Sequence, residues 1–232
     1  MTGPMRDDAV EALRRGTATF LGLELEVTPG ALVPRPETEL LARVAIAHML
    51  AHGGAPLIVD MGCGSGNLAC AIAHALPNAR VFAADISTAA VAVTKRNAAK
   101  HGLAERITAV EGDLFEALPR ELLGNVDAVV SNPPYISTGK LDTEHASLLE
   151  HEPREAFDAG PYGLALHQRI VAAALTFLRP EGLLACEFGL GQERQLRIVV
   201  DRARGYDRLA FHLNDAGVPR ALTAQRLRES SP

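Results

Sequence analysis

The sequence predicts an α/β fold built on a parallel sheet, and three observations carry that expectation. From residue 55 onward, short apolar runs at 57–61, 81–85, 107–110, 126–131 and 183–188 alternate with stretches of helical periodicity. Strands buried on both faces and joined by crossover helices read this way. The first run passes directly into Gly62-Cys63-Gly64-Ser65-Gly66 and then a helical stretch, so the backbone turns tightly and can approach a ligand closely. Successive strands also finish at a polar side chain: Asp60, Asp85, Asp113 and Asn132.

The elements follow in order. Residues 1–17 carry acids and arginines around Val10 and Leu13 and predict one short amphipathic helix. Residues 19–27 alternate in part, and Thr28-Pro29-Gly30 before Ala31-Leu32-Val33 predicts a β-hairpin with its turn at 28–30. Pro34-Arg35-Pro36-Glu37-Thr38-Glu39 opens a helix to about residue 49, since prolines fit a helix start and acids suit its positive end. Gly53-Gly54 ends it. Strands at 57–61, 81–85 and 107–110 alternate with helices at 68–76 and 88–101, with Val91, Val93 and Ala98 facing inward. Residues 126–131 form the fourth strand and residues 136–160 a polar, acidic loop. A helix over 164–178 stops at Arg179-Pro180-Glu181-Gly182 before strand 183–188, and a helix at 191–204 with strands near 208–213 and 221–226 completes the set. Three segments result: 1–17, a hairpin with connecting helix at 18–54, and the α/β unit at 55–232.

Composition bounds the function. The chain has 232 residues, 47% hydrophobic and 22% charged, the profile of a folded globular protein. Its net charge of -5, with no long basic run, disfavours affinity that comes from neutralising many phosphates. Cys63, Cys70 and Cys186 form no CxxC pair and no metal spacing, so free thiols in a reducing compartment are expected. The charged N-terminus has no long apolar segment, so neither a signal peptide nor a membrane span is expected, and the cytoplasm is the expected location.

The acids discriminate between ligands for the glycine loop. A nicotinamide dinucleotide is the rival, because its pyrophosphate also favours such a loop. Asp60, at the end of the first strand, would repel a pyrophosphate and suits the ammonium of a methionine-derived tail. Asp85 ends the next strand about 20 residues on, where a carboxylate accepts ribose hydroxyls in either case. Asp113 can accept an adenine amino group while Leu114 or Phe115 covers the ring. S-adenosylmethionine accounts for all three acids together with Asn132. In Asn132-Pro133-Pro134-Tyr135 the prolines stop the strand, and an Asn oxygen beside a free carbonyl can receive both hydrogens of an –NH2 group. A plain strand-ending turn is the alternative reading of Asn-Pro.

These residues resemble the class I S-adenosylmethionine-dependent methyltransferases, and within them the HemK-type N5-glutamine methyltransferases that modify peptide release factors. The match runs through the Pro34 to Glu39 segment, the loop from Asp60 to Gly66, Asp85, Arg96-Asn97-Ala98, Asp113 and Asn132-Pro133-Pro134-Tyr135-Ile136. It continues through His151-Glu152-Pro153, Gly163-Leu164, Arg169-Ile170, Glu187-Phe188-Gly189 with Gln192, and Asp215 to Arg220. The resemblance implies a Rossmann-like fold with a seven-stranded, mostly parallel sheet whose last strand is antiparallel, plus an N-terminal β-hairpin. It implies S-adenosyl-L-methionine as cofactor, held by Asp60, Met61, Gly62, Cys63, Gly64, Gly66, Asp85, Ile86, Asp113, Leu114 and Asn132, with no metal. It implies that Asn132 and Pro133 accept the two amide hydrogens, that Tyr135 packs on the acceptor group, and that Pro134, Arg35 and Glu37 help to bind the substrate, a protein such as a release factor.

Three departures stand out. Members that act on release factors carry a helical domain before the hairpin, where only the segment 1–17 stands here; an aromatic residue often follows the third-strand acid, where this chain has Leu114; and the usual Asp-Gly-Leu is Tyr162-Gly163-Leu164. The identity of the acceptor stays open among a protein glutamine, a small molecule on the same scaffold and a nucleic-acid base, since this lip serves any planar –NH2 group. A catalytically idle binding module is the rival from another class. His145 and His151 complete no ligand set and read as solvated loop positions, and Cys63 reads as a small residue filling the glycine loop.

Overall fold

The computed structural model describes residues 3–143, 149 and 152–228. Helix α1 (Gly3–Arg15) leads into an antiparallel hairpin of β1 (Thr17–Phe20) and β2 (Leu23–Glu26), and a 3-10 turn at Pro36–Thr38 runs into α2 (Glu39–His52). The α/β unit then alternates β3 (Leu57–Met61), α3 (Asn67–Ala75), β4 (Arg80–Asp85), α4 (Thr88–Lys100), β5 (Ile107–Glu111) and β6 (Val126–Ser131). After a short α5 (Thr138–Thr143) come α6 (Ala165–Phe177), β7 (Leu178–Glu187), α7 (Glu193–Ala203), β8 (Tyr206–Leu213) and β9 (Pro219–Arg226). Among the described residues no helix is long and apolar enough to cross a membrane.

The seven-stranded sheet has the order β5-β4-β3-β6-β7-β9-β8; β9 pairs antiparallel with both β7 and β8, and the other pairs are parallel. Alternation along each strand divides the core into two layers. Ile58, Ala83, Ala128 and Val130 face α2, α3 and α4, while Val59, Met61, Val129 and Leu184 face α6 and α7. Burying each such Leu, Ile or Val contributes roughly 1.5–3 kcal/mol. The chain steps from β3 outward to β5 and then returns to β6 on the other side of β3, so the strand order reverses between β3 and β6. Ligands bind at such a reversal, beyond the carboxyl ends of the strands.

Three local expectations are corrected. The hairpin turns at Leu21-Gly22, both at positive φ (47° and 80°), with Phe20 paired to Leu23; two positive-φ residues make the tight turn whose twist suits a hairpin. Residues 31–33 are therefore not its second strand. Strand β7 begins at Leu178, ahead of the breaker-like Pro180-Glu181-Gly182, because an irregularity between Val126 and Ala128 lets Leu178 pair with Val126 before the ladder resumes at Leu183. The loop after β6 is also partly ordered: Ile136 bridges Asp158 in parallel, and Thr138 Oγ1 donates to Asp158 Oδ1 at 2.7 Å.

One buried side chain joins the hairpin to the sheet unit. Asn97, on α4, accepts from Glu26 N at 2.7 Å and donates to Glu26 O and Ser65 O, each at 2.9 Å. It thereby fastens the end of the hairpin to the glycine loop. Replacing it strands buried backbone groups at about 1–3 kcal/mol each. Asn97→Ala is expected to lose about 3 kcal/mol in urea unfolding with an unchanged m-value, and Asn97→Asp, which accepts but cannot donate, to lose a similar amount; a loss below about 1 kcal/mol would show that the fastening is dispensable.

Candidate active site

The site is built where β3 and β6 end side by side. Met61 pairs with Ser131, and Ser131 Oγ donates to Met61 O at 2.6 Å. Beyond Met61 the amides of Gly62 and Cys63 both donate to Ala84 O, at 2.8 and 3.0 Å, which folds the glycine loop over the end of β4. Gly66 starts α3 at φ 77°, and a Cβ there would stand 2.9 Å from Thr94 Cγ2 and Oγ1, so both conformation and space demand glycine. A cavity of about 790 Å³ opens above these strand ends.

Met61, Gly62, Gly64, Asp85, Ile86, Asp113, Leu114, Asn132, Pro133 and Pro134 line that cavity, together with Leu32, Ser87, Arg169 and part of the 153–158 segment. Asp85 is held by two backbone donors, Ser87 N on Oδ1 and Gly64 N on Oδ2, both at 2.9 Å, and burial pushes its carboxyl upward. Asp113 Oδ2 accepts from Arg169 Nη2 at 2.7 Å. Leu114 faces the cavity, whereas Phe115 turns into the core against Phe177, ring centroids 5.0 Å apart. The sequence alternative of Phe115 as a cover for the cavity is therefore excluded by packing.

Other predicted residues stand behind the lining. Asp60 is fully buried; Oδ2 accepts from Ala69 N at 2.9 Å, and Oδ1 has no partner among the described residues. Burial raises it to about 7, opposed by the Ala69 bond and assisted by the charge of Asp85. Cys63 is buried with Sγ 3.4 Å from Thr94 Oγ1, and burial pushes its thiol well above the usual range, so it fills the loop as a neutral group. Arg35 forms a buried ion pair with Glu152, whose Oε1 also accepts from Val33 N at 2.9 Å. This pair ties the Pro-Arg-Pro segment to the loop after β6. Glu37 has a buried Oε2 without a hydrogen-bond partner among the described residues. Arg35, Glu37 and Tyr135 do not line the cavity.

The acceptor lip is fixed from behind. Asn132 Nδ2 donates to Thr38 Oγ1 at 3.0 Å, which leaves Oδ1 as the acceptor available at the cavity. Tyr135 lies under the Arg220 guanidinium, 5.5 Å from its ring centroid; its hydroxyl accepts from Arg220 Nη2 at 3.1 Å and lies 3.4 Å from Glu187 Oε1, and its carbonyl accepts from Gln192 Nε2 at 3.0 Å. Burial, with the charge of Glu187, pushes its phenol up to about 12. The sequence singled out neither Thr38, Glu152, Glu187 nor Arg220 for a role, although each stands in a motif of the resemblance; a Thr or an acid that gains its meaning from distant partners has no local signature. His145, His151, Glu144 and Glu150 lie outside the described residues. Chemically, the cavity is rich in acceptors: two carboxylates and an amide oxygen at three strand ends.

Comparison with known proteins agrees with this geometry. The family model for the methyltransferase small domain matches residues 38–160. A release factor glutamine methyltransferase from Moorella thermoacetica is 40% identical over 92% of this chain and 74% of its own length. A 4-amino-L-phenylalanine/4-methylamino-L-phenylalanine methyltransferase from Streptomyces pristinaespiralis is 43% identical over 75% of this chain and 59% of its own. Among solved structures, the release-factor-specific protein-(glutamine-N5) methyltransferase from Alicyclobacillus acidocaldarius superposes with a TM-score of 0.51 at 26% identity, covering 88% of this chain and 99% of that one. The chain spans about 60% of the length of other curated relatives that it matches. A matched family model across the site and 40% identity along nearly the whole chain place this protein in the methyltransferase small-domain family, in the branch that contains the release factor glutamine methyltransferases.

Proposed function

We propose that this protein transfers a methyl group from S-adenosylmethionine to the side-chain nitrogen of a protein glutamine, with a peptide release factor as the substrate. The observation that carries the reading is the orientation of Asn132: its nitrogen is taken by Thr38, so an amide oxygen faces a cavity whose other strand ends carry Asp85 and Asp113. The methyl-transferring unit is residues 55–232, with 18–54 covering its acceptor side, in a cytoplasmic setting.

The residues present fit the cofactor. Asp85, pinned by two amides, has lone pairs left for ribose hydroxyls; Asp113 suits an adenine amino group beside Leu114; and Asp60 Oδ1, a buried acceptor without a partner, suits an ammonium reached directly or through water. When bound, S-adenosylmethionine supplies a sulfonium methyl. An amide nitrogen is a poor nucleophile because its lone pair is delocalised into the carbonyl, so the protein's contribution is orientation. Asn132 Oδ1 and the Pro133 carbonyl accept its two hydrogens, and Tyr135, held by Arg220 outside the cavity, anchors the end of this lip from behind. Acceptor dipoles aimed at the positive charge that develops on nitrogen supply the rest. Proton loss follows methyl transfer and needs no strong base.

A second reading is supported by the relative from Streptomyces pristinaespiralis, whose name gives an arylamine acceptor. An arylamine is also a planar –NH2 group, and the same lip would hold it.

Two outcomes test this reading. Asn132→Ala is expected to cut transfer by about 10³-fold while calorimetry shows S-adenosylmethionine binding within about threefold of the parent; unchanged turnover, or tight NADH binding in place of S-adenosylmethionine, sinks it. Asp60 is raised to about 7 by burial, and a neighbouring ammonium favours its ionised form. Cofactor affinity should therefore rise roughly tenfold from pH 5.5 to 7 and flatten above, and Asp60→Asn should bind weakly with no such slope; a pH-independent Kd in the parent protein contradicts the assignment.

A further inference from the structure

Two stretches of the sequence, Gly163-Leu164 and Gly189 with Gln192, have no task in the transfer scheme, and the fold brings both to the carbonyl of Tyr135. Gln192 precedes α7, is half-buried and does not line the cavity. Its Nε2 donates to Tyr135 O at 3.0 Å and to Gly163 O at 3.2 Å, while its Oε1 accepts from Gly189 N at 2.9 Å. An amide nitrogen carries two hydrogens, so both are spent on carbonyls. The Gly189 amide fixes which end of the side chain faces which way.

The packing leaves room for this side chain and little else. A Cβ on Gly163, at φ 71°, would stand 2.7 Å from Tyr135 O and 3.1 Å from Gln192 Nε2. One on Gly189 would stand 3.0 Å from both Gln192 Oε1 and Tyr135 Cδ2. Two glycines therefore admit the amide between three backbone segments.

The lip needs such an anchor. Pro133 and Pro134 have no N–H to donate, and in the transfer reading the Pro133 carbonyl is taken up with the acceptor. The placement of the pair is therefore set at its two flanks. Upstream, Asn132 is held by Thr38. Downstream, Tyr135 is gripped at both ends, its hydroxyl by Arg220 at 3.1 Å and its carbonyl by Gln192. The second hydrogen of Gln192 joins the lip to Gly163, at the far end of the segment whose residues 153–158 partly line the cavity.

We infer that Gln192 is a positioning residue: its amide clamps the Tyr135 carbonyl and so aims the Pro133 carbonyl at the acceptor –NH2 group, without touching either reactant. The inference rests on the transfer reading above and deepens it. Misplacing an orienting group by about 1 Å costs on the order of 100-fold in rate. Asp85 and Asp113, which suit the cofactor, stand at other strand ends, so loss of the clamp should fall on transfer and spare cofactor affinity.

The test compares two substitutions in the full chain. Gln192→Met keeps the length of the side chain and removes its donors; Gln192→Glu keeps the acceptor for Gly189 N and, while ionised, offers Tyr135 and Gly163 no hydrogen. Labelled-methyl transfer to a release factor is measured at saturating S-adenosylmethionine, cofactor Kd by calorimetry, and the Tyr135 carbonyl resonance by 13C NMR of the free protein. Gln192→Met should lower kcat by about 100-fold, leave the cofactor Kd within about threefold of the parent and shift the Tyr135 carbonyl resonance. In Gln192→Glu, protonation of the introduced carboxyl returns one hydrogen to the clamp. Its kcat relative to the parent should rise about tenfold from about pH 8.5 to 5.5, while the same ratio for Gln192→Met stays flat. Glu37, Glu187 and Arg220 around Tyr135, His167 behind Glu187 and Glu193 beside Gln192 are common to all three proteins and cancel in the ratio. A kcat for Gln192→Met within about threefold of the parent, a cofactor Kd weakened as much as kcat falls, a flat ratio for Gln192→Glu or an unmoved Tyr135 resonance would overturn the clamp. If the parent protein methylates no release factor, the transfer reading fails on its own, and the Tyr135 resonance, which should still titrate in Gln192→Glu, decides the clamp.

Discussion

The register that sets Met61 opposite Ser131, locked by the 2.6 Å bond from Ser131 Oγ to the Met61 carbonyl, is the constraint on which the rest of the molecule depends. It makes two chain segments about 70 residues apart leave the sheet side by side: the glycine loop above β3 and the Asn-Pro-Pro-Tyr lip above β6. A slip of one residue would turn every side chain of one strand to the opposite face and carry Asn132 out of the cavity. The crossing of the chain between these strands supplies the space, and the apolar layers on both faces of the sheet hold the strands in place.

Around that junction the polar groups fall into two sets. Asp85, Asp113 and Asn132 present acceptors to the cavity. Behind them Asp60, Thr38 and Glu187 are buried, and the partly buried Tyr135 and Arg220 meet at Glu187. Burying so many polar groups is costly unless they are paired, and several atoms here lack a partner among the described residues, including Asp60 Oδ1, Glu187 Oε2 and Arg220 Nε. Two carboxyls raised to about 7 by burial, Asp60 and Glu187, stand behind the two ends of the proposed reaction, donor and acceptor. Perturbed groups of this kind gather at functional sites.

Much of this was legible in the sequence, and the parts that were not share a cause. Strands β3 to β6 were readable because doubly buried parallel strands are continuous apolar runs, and Asp85, Asp113 and Asn132 were readable because polar residues at strand ends stand out against those runs. The hairpin was misplaced because Thr28-Pro29-Gly30 is a stronger local turn signal than Leu21-Gly22, whose leucine adopts φ 47°. The start of β7 was missed because Pro180-Glu181-Gly182 reads as a breaker, and only the bulge against β6 shows that the ladder tolerates it. Thr38, Glu152 and Glu187 were invisible as a set because they owe their burial and partners to contacts between segments far apart in the chain, as in the Arg35 to Glu152 pair across 117 positions.

The central claim is that the cavity joins a methyl donor to an amide nitrogen. It is tested most directly by incubating the protein with isotopically labelled S-adenosylmethionine and a release factor, then locating the label by tandem mass spectrometry. The account predicts one added methyl on a glutamine side-chain nitrogen. Label on an oxygen, on a carbon or on no amide at all, from a protein that binds the cofactor, would contradict it.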